Sequence, residues 1–291
     1  MKKFAPAVFV LLWSTGFIVA RYATRDAGAF SFLAVRTLIA TVLLFAVARA
    51  TREQAISADQ RTTMLLVGVG MHAMYLGGVF YAIEHGMPSG MSALIAALHP
   101  VVTTVLAWVV LGERLNRVRT TGVLLGFSGV VFVVIEHGGT GDGVPARAVW
   151  AMVVAVVGMS AGTLLQRRRG QGTPLLAGTA WQYASTTVAL GIIAVAGEGW
   201  RFEPTLNTWL SLAWAVGVLS LAAILIMLWL LHRQAASRVS SLFFLTPALS
   251  SVEAAVLFDE NLGALAVLGL AVALVGVYLS TNERFVSAPQ R

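Results

Sequence analysis

Four ionisable side chains interrupt stretches that are otherwise apolar: Arg36, His72, His99 and Glu253. A charge or imidazole held in such surroundings must pair, relay protons or meet a ligand, so each is a functional candidate by default. His72 and Tyr75 share a helical face at i, i+3, and His99 and Thr103 share one at i, i+4. Thr246, Ser250 and Glu253 form a comparable stripe, while Trp13 and Trp181-Gln182-Tyr183 add aromatic surface. Aromatic walls with a few polar groups suit a medium-sized organic solute. The two histidines could hold a carboxylate or relay protons; the alternative is a neutral ring bonded to a neighbouring helix. For Arg36 and Glu253 the alternatives are mutual neutralisation or snorkelling to headgroups. Glu253 is also the carboxylate best placed for a proton-linked cycle, because the run from Val252 to Phe258 around it is otherwise apolar.

The elements that position these residues follow from composition. Of 291 residues 58% are hydrophobic and 11% charged, with a mean hydropathy of +0.82. A soluble domain carries about a quarter charged residues, so the chain reads as an all-α polytopic membrane protein. Apolar runs between charges and turn residues give ten segments: 4–20, 30–48, 63–82, 90–111, 118–135, 148–165, 174–196, 209–231, 237–258 and 262–280. Each is long enough to cross about 30 Å of hydrocarbon at 1.5 Å per residue. Each must be a helix, since backbone amides in lipid need partners within their own segment. Counted from the outer helix ends, Arg36 and Glu253 lie roughly 8–9 Å deep and the two histidines roughly 13–15 Å deep. Lys2, Lys3 and the first apolar run have the outline of a secretory signal, but the Trp13-Ser14-Thr15-Gly16 interruption and the following spans favour a retained helix.

Charge placement orients the spans. With the N-terminus inside, the inner segments hold 15 of the 20 Lys and Arg residues, and the outer loops hold four: Arg21, Arg25, Arg147 and Arg201. The remaining one is Arg36. Eight acids fall outside: Asp26, Glu84, Glu136, Asp142, Glu198, Glu203, Asp259 and Glu260. This bias predicts both termini in the cytoplasm of a multi-pass inner-membrane protein. The net charge of +7 is thereby an orientation device, and no nucleic acid is expected as partner.

The chain also repeats. At an offset of 147, residues 98–131 match 245–278 at ten of 34 positions, among them Pro100/Pro247, Glu113/Glu260, Leu115/Leu262, Gly122/Gly269 and Gly129/Gly276. Ser14, Gly16 and Arg21 match Ser160, Gly162 and Arg167 at an offset of 146. Five spans per copy, an odd number, invert the second copy. Arg114, Arg117 and Arg119 accordingly give way to Asn261, Ala264 and Ala266 where that copy would face outward. The expected organisation is a first five-helix repeat (1–137), an outer Gly-rich link (138–147), a second, inverted repeat (148–282) and a cytoplasmic tail (283–291). Inverted repeats are a secondary-transporter architecture with the substrate near the midplane. Pro100 and Pro247 are the candidate hinges. Gly122/Gly126 and Gly269/Ala273 are small-residue pairs for close helix approach, and Trp108, Trp150, Trp200, Trp209 and Trp229 fall at span ends as an interfacial belt.

Trp13-Ser14-Thr15-Gly16-Phe17, Arg36, and Pro100 with Leu111-Gly112-Glu113-Arg114-Leu115 and Gly122, echoed at Pro247, Glu260, Leu262 and Gly269, resemble the EamA family of the drug/metabolite transporter superfamily. The second copy departs from the pattern at Phe258-Asp259-Glu260-Asn261, where the Gly-Glu pair is absent. The resemblance implies the fold of ten-helix YddG-type amino-acid exporters, with helices 1–4 and 6–9 around a central cavity and 5 and 10 packed outside.

Enzyme signals are sparse. The absence of Cys excludes disulfides and thiolate metal sites, and there is neither a Walker sequence nor HExxH. Gly90-Met91-Ser92-Ala93 is similar to an intramembrane serine-protease motif, with His72 or His99 as base, but its last residue departs from Gly-x-Ser-Gly. The expectation is a non-enzyme without cofactor or metal, acting as a monomer in the lipid bilayer. It would move small organic metabolites, foremost amino acids, outward by alternating access; drugs, sugars or nucleosides are the alternative cargo.

Overall fold

The computed structural model describes residues 5–113, 115–138, 143–223, 226, 242, 245–260 and 263–281. Within these the chain is helical: α1 (Ala5–Asp26), α2 (Ala29–Ala50), α3 (Ala58–Glu84), α4 (Ser89–Leu111), α5 (Arg117–Gly138), α6 (Ala146–Arg169), α7 (Leu175–Gly197), α8 (Leu206–Ala222), α9 (Thr246–Phe258) and α10 (Ala264–Thr281). Among the described residues only an isolated backbone bridge, Ala27 to Phe202, resembles a strand contact. Seven helices, α1 to α6 and α10, are long and apolar enough to cross a membrane. The 23-residue α7 carries no charge but holds Trp181, Gln182 and Tyr183, while α8 and α9 are shorter apolar helices as described.

The helices outrun the apolar segments. α1 continues to Asp26 and α6 to Arg169, so Arg21, Arg25 and Arg167 to Arg169 sit on helix ends rather than in loops. A helix can extend through the headgroup layer, which hydrates its charges, whereas an apolar run stops at the first charge. The segments at 209–231 and 237–258 lie partly outside the described residues. So do Arg114, Asp142, Trp229, Asn261, Leu262 and both chain ends.

Polarity is distributed as lipid dictates. Val42, Val109, Leu124, Val188, Ile192 and Val256 are exposed, whereas Ser14, Arg36, Thr37, Ser92, Gln182 and Ser220 are buried. A bilayer supplies no hydrophobic force between helices, so packing and internal hydrogen bonds hold the bundle. α2 lies along α7 and α5 along α10; α1 contacts α3, α8 and α9, and α6 contacts α3 and α4. Glycines make two of these seams. A Cβ at Gly129 would run into Gly269 and Ala273, and one at Gly276 would strike Gly126 and Gly122. Between α3 and α6, Gly70, Gly158 and Gly162 leave similar room. Trp108, Trp150, Trp200 and Trp209 are exposed, as befits an interfacial belt.

α3 and α8 each contain a π-helical stretch, Val69–Met74 and Trp214–Ala222. Such segments widen the turn and mispair local backbone groups; they recur at functional sites. α4 is interrupted at residues 97–98 and restarts at His99 with Pro100 in its first turn, and α9 carries Pro247 in its own first turn. Proline is tolerated there because that amide has no helical partner to lose.

The glycine seams are separable from helix propensity. Gly276→Ala should destabilise the protein by about 1–3 kcal/mol through overpacking, read as a lower thermal midpoint in detergent. Gly191→Ala has nothing within 4 Å of the new methyl group, so it should be neutral or slightly stabilising.

Candidate functional site

The polar interior is built where α2, α3, α7 and α8 meet. Gln182 on α7 is its junction. Its side-chain oxygen lies 3.1 Å from Nε2 of His72, and its amide nitrogen donates to Gln166 Oε1 at 3.1 Å and approaches Met64 Sδ at 3.3 Å. The His72 ring stacks on Tyr183 with centroids 4.7 Å apart and planes 11° from parallel. His72 belongs to the π-helical stretch of α3, and the α7 hydroxyls of Ser185 and Thr186 donate to the neighbouring carbonyls of Leu65 and Gly68. On the other side Arg36 of α2 donates to Ser220 Oγ at 3.4 Å, within the π-helical stretch of α8. Arg36 is 5% exposed. Thr187 donates to Thr37 at 3.0 Å across the α2–α7 seam. Among the described residues, a solute here would meet the Arg36 guanidinium, neutral hydrogen-bonding groups and aromatic faces.

A second polar contact joins α1 to α9. Ser14 Oγ donates to Glu253 Oε1 at 2.7 Å, and Ser250 Oγ donates to the Ser14 carbonyl at 2.9 Å. Among the described residues Glu253 Oε2 and Thr246 Oγ1 are buried without partners. Arg36 and Glu253, whose similar depth suggested a pair, form no ion pair; each has a different neutral hydroxyl as partner.

The other sequence candidates are placed apart from this centre. His99 Nδ1 approaches the Ala96 carbonyl at 3.3 Å, while its own carbonyl accepts from Thr103 and from Ser160 of α6. Tyr75 is partly buried one turn beyond His72. Trp13 meets Phe9 at a tilt, ring centroids 5.4 Å apart, in a cluster between α1 and Leu249. Trp181 packs edge-on against Phe45 beneath the Arg61 guanidinium, near the start of α3. The Ser92 hydroxyl donates to the Pro88 carbonyl at 3.0 Å, and neither histidine reaches it as a base.

Carboxylates at the bundle ends carry more structure than charge counting suggested. Glu198, after α7, accepts from the amides of Phe30 and Ser31 at the start of α2, both at 2.9 Å, and from the Ser31 hydroxyl. Glu53, after α2, accepts from the amides of Leu176 and Ala177 at the start of α7 at 3.1 and 2.6 Å. Glu260 receives the Ser89 and Gly90 amides of α4 at 2.8 and 3.0 Å, and Glu136 receives the Ala266 amide of α10. Arg167 pairs with Glu113, Arg21 with Glu260 and Arg201 with Glu84. Beside the last of these a groove of about 330 Å³ opens between α1 and α3, lined by Arg21, Thr24, Arg25, Ile83, Glu84 and Gly86. Neither α2 nor α7 has a cap from its own preceding side chain. That lack was the sequence signal for a cap supplied from elsewhere.

A lipid-facing helical bundle with a buried polar centre defines an integral membrane protein of the solute-handling kind. The chain belongs to the EamA-like transporter family, whose model matches residues 4–135 and 146–282. It is 24% identical to the "Uncharacterized transporter YvbV" of Bacillus subtilis over 95% of this chain and 90% of that protein. It is also 24% identical to a "Probable amino-acid metabolite efflux pump" of Escherichia coli, covering 93% and 91% respectively. The "Uncharacterized inner membrane transporter YedA" of Escherichia coli is 22% identical over 96% of this chain and 91% of its own length. One crystal structure superposes with a TM-score of 0.63 at 20% identity, covering 96% of this chain and 95% of that one, which supports the fold.

The two long-range caps should be worth similar amounts. Glu53→Ala and Glu198→Ala each strand two helix-start amides, and each should cost about 1–2 kcal/mol. Glu53→Gln and Glu198→Gln should fall between, since an amide oxygen still accepts. Thermal unfolding of the four variants in detergent checks both the size and the order.

Proposed function

We propose that the chain exports small organic metabolites, foremost amino acids, across the inner membrane by alternating access between two inverted five-helix halves. The observation that carries this reading is the reciprocity of the end contacts. Glu53 caps α7 while Glu198 caps α2, and Glu113–Arg167 stands opposite Glu260–Arg21. These partners are related by the 145–147 offset of the internal repeat. A two-fold exchange of the halves reproduces such contacts at opposite bundle ends, and that is the arrangement a rocking transporter requires. The glycine seam of α5 and α10 follows the same exchange, Gly129 against Gly269 and Gly276 against Gly122.

On this reading the ten helices are ten spans. The halves are 1–137 and 148–282, the link is 138–147 and the tail is 283–291. Both termini face the cytoplasm, and one copy suffices. The cargo is held between α2, α3, α7 and α8, with Pro100 and Pro247 as bending points. The efflux pumps named among the relatives support both the direction and the amino-acid cargo. Ser92, bonded to its own helix, favours transport over proteolysis. Uptake of a labelled amino-acid panel into proteoliposomes tests the function. Saturable flux of at least one member is expected, and no flux for any of them would sink the amino-acid cargo.

Orientation is testable because the chain has no Cys. Exposed Glu203→Cys should react with an impermeant maleimide on intact cells, and exposed Arg168→Cys only after permeabilisation. The opposite pattern would reverse the topology.

Glu253 can serve as a proton-linked group, since it is unpaired with Arg36 and buries one oxygen without a partner. An imposed proton gradient across proteoliposomes should then drive wild-type transport of the solute against its own concentration gradient, in the direction opposite to the protons. Glu253→Gln should retain exchange but lose the drive. Wild-type flux indifferent to the gradient would leave facilitated diffusion.

A further inference from the structure

The buried guanidinium of Arg36 has no carboxylate partner among the described residues. Among the described residues its only hydrogen bond is the 3.4 Å contact to neutral Ser220, and Nε is buried without a partner. The carboxylates that could neutralise it are held elsewhere. Glu53, Glu84, Glu136, Glu198 and Glu260 cap helix starts, and Glu253 is bonded to Ser14. A buried cation without a partner is strongly unfavourable, and a fold that keeps one leaves a place for an anion.

Three further observations say what kind of anion fits. Arg36 bonds to the π-helical stretch of α8 through Ser220, and the π-helical stretch of α3 meets Gln182 through His72; in both, the widened turns depart from regular packing. Gln182 stands at the 146-residue offset from Arg36 and reaches the α3 stretch as Arg36 reaches the α8 stretch. One arm of the site is thus cationic and its counterpart neutral. Across the α2–α7 seam, which Thr187 and Thr37 join next to Arg36, stand the stacked His72–Tyr183 pair and the amide of Gln182. They suit the organic remainder of a solute better than a small, strongly hydrated inorganic ion. A guanidinium presents a planar fork that matches a carboxylate at two points.

We propose that Arg36 is the carboxylate-binding residue of the transport site, so that the cargo class is organic acids, including amino acids, recognised at the carboxylate rather than at the amine. The inference rests on the transport reading above and adds the group that selects the cargo. In a resting site the charge is paired only when cargo is bound, and an amide or amine analogue would leave it unpaired.

The test measures flux in proteoliposomes of the wild-type protein. Its acid arm holds L-leucine, L-phenylalanine, L-threonine and 3-phenylpropionate, and its second arm holds leucinamide, phenylalaninamide, threoninamide and phenethylamine. Uridine, glucose and tetraphenylphosphonium form a third arm, and chloride is tested as a competitor. The expected result is saturable flux of at least one acid, with its amide weaker by about tenfold or more as substrate and competitor. Chloride should compete weakly. Arg36→Gln should raise the KM for that acid by a similar factor, and Arg36→Lys should recover part of it. The acid–amide comparison uses the wild type alone, so a misfolded variant cannot mask the answer. Amides that move as well as acids, an unchanged KM in folded Arg36→Gln, or chloride competing as well as the acid would overturn the assignment while transport stands. Flux confined to the third arm would do the same. No flux in any arm would overturn the transport reading and this inference with it.

Discussion

Every helix start leaves backbone amides without intrahelical partners, and a start packed inside a bundle must find them partners within the protein. This bundle meets that constraint with carboxylates brought from distant parts of the chain. Glu198 receives the first amides of α2, Glu53 those of α7, Glu260 those of α4 and Glu136 one at the start of α10. Each such bond satisfies polar backbone, places a negative charge at the positive end of a helix dipole, and ties together helices far apart in sequence. The same contacts fix how α2 lies along α7 and how α4 meets α9. The polar centre depends on those placements.

Close approach completes the scaffold. Because lipid tails are as apolar as the side chains facing them, helices gain from contact mainly by packing tightly. The glycines of α5 and α10, and those of α3 and α6, bring backbone against backbone. α3 held close to α6 presents the π-helical stretch containing His72 to α7, where Gln182 and Tyr183 receive it. The exterior is apolar as well, and the polar groups are gathered at a few places inside a largely apolar interior. In such an interior Arg36 stands out because, among the described residues, its hydrogen-bond partner is a neutral hydroxyl and it forms no ion pair.

Some of the site was legible early. Arg36, His72 and Glu253 were visible because charge inside an apolar run is rare, and Ser250 because it shares a stripe with Glu253. The pairing was not legible. Depth counted along separate helices put Arg36 and Glu253 at the same level, but depth says nothing of azimuth, and the two side chains turn to different partners. Trp181 reads as neighbour to Gln182 along the chain, yet successive helical residues point about 100° apart; it packs on Phe45 and Arg61 while Gln182 meets His72. Gln182 drew no attention by itself, being neutral, although it sits at the repeat offset from Arg36.

Composition and charge spacing alone determined the all-helical, membrane-crossing class, since only helices satisfy their own backbone within an apolar run of that length. The fixed register of Pro, Glu and Gly likewise exposed the internal repeat without any structure. Tertiary structure decided what the acids do. Glu198 reads in sequence as a loop charge, and becomes a helix cap only because the end of α7 lies beside the start of α2. It also decided which buried groups meet, because a hydrogen bond between helices depends on rotation and crossing, and neither leaves a mark in the one-dimensional pattern of polar and apolar residues.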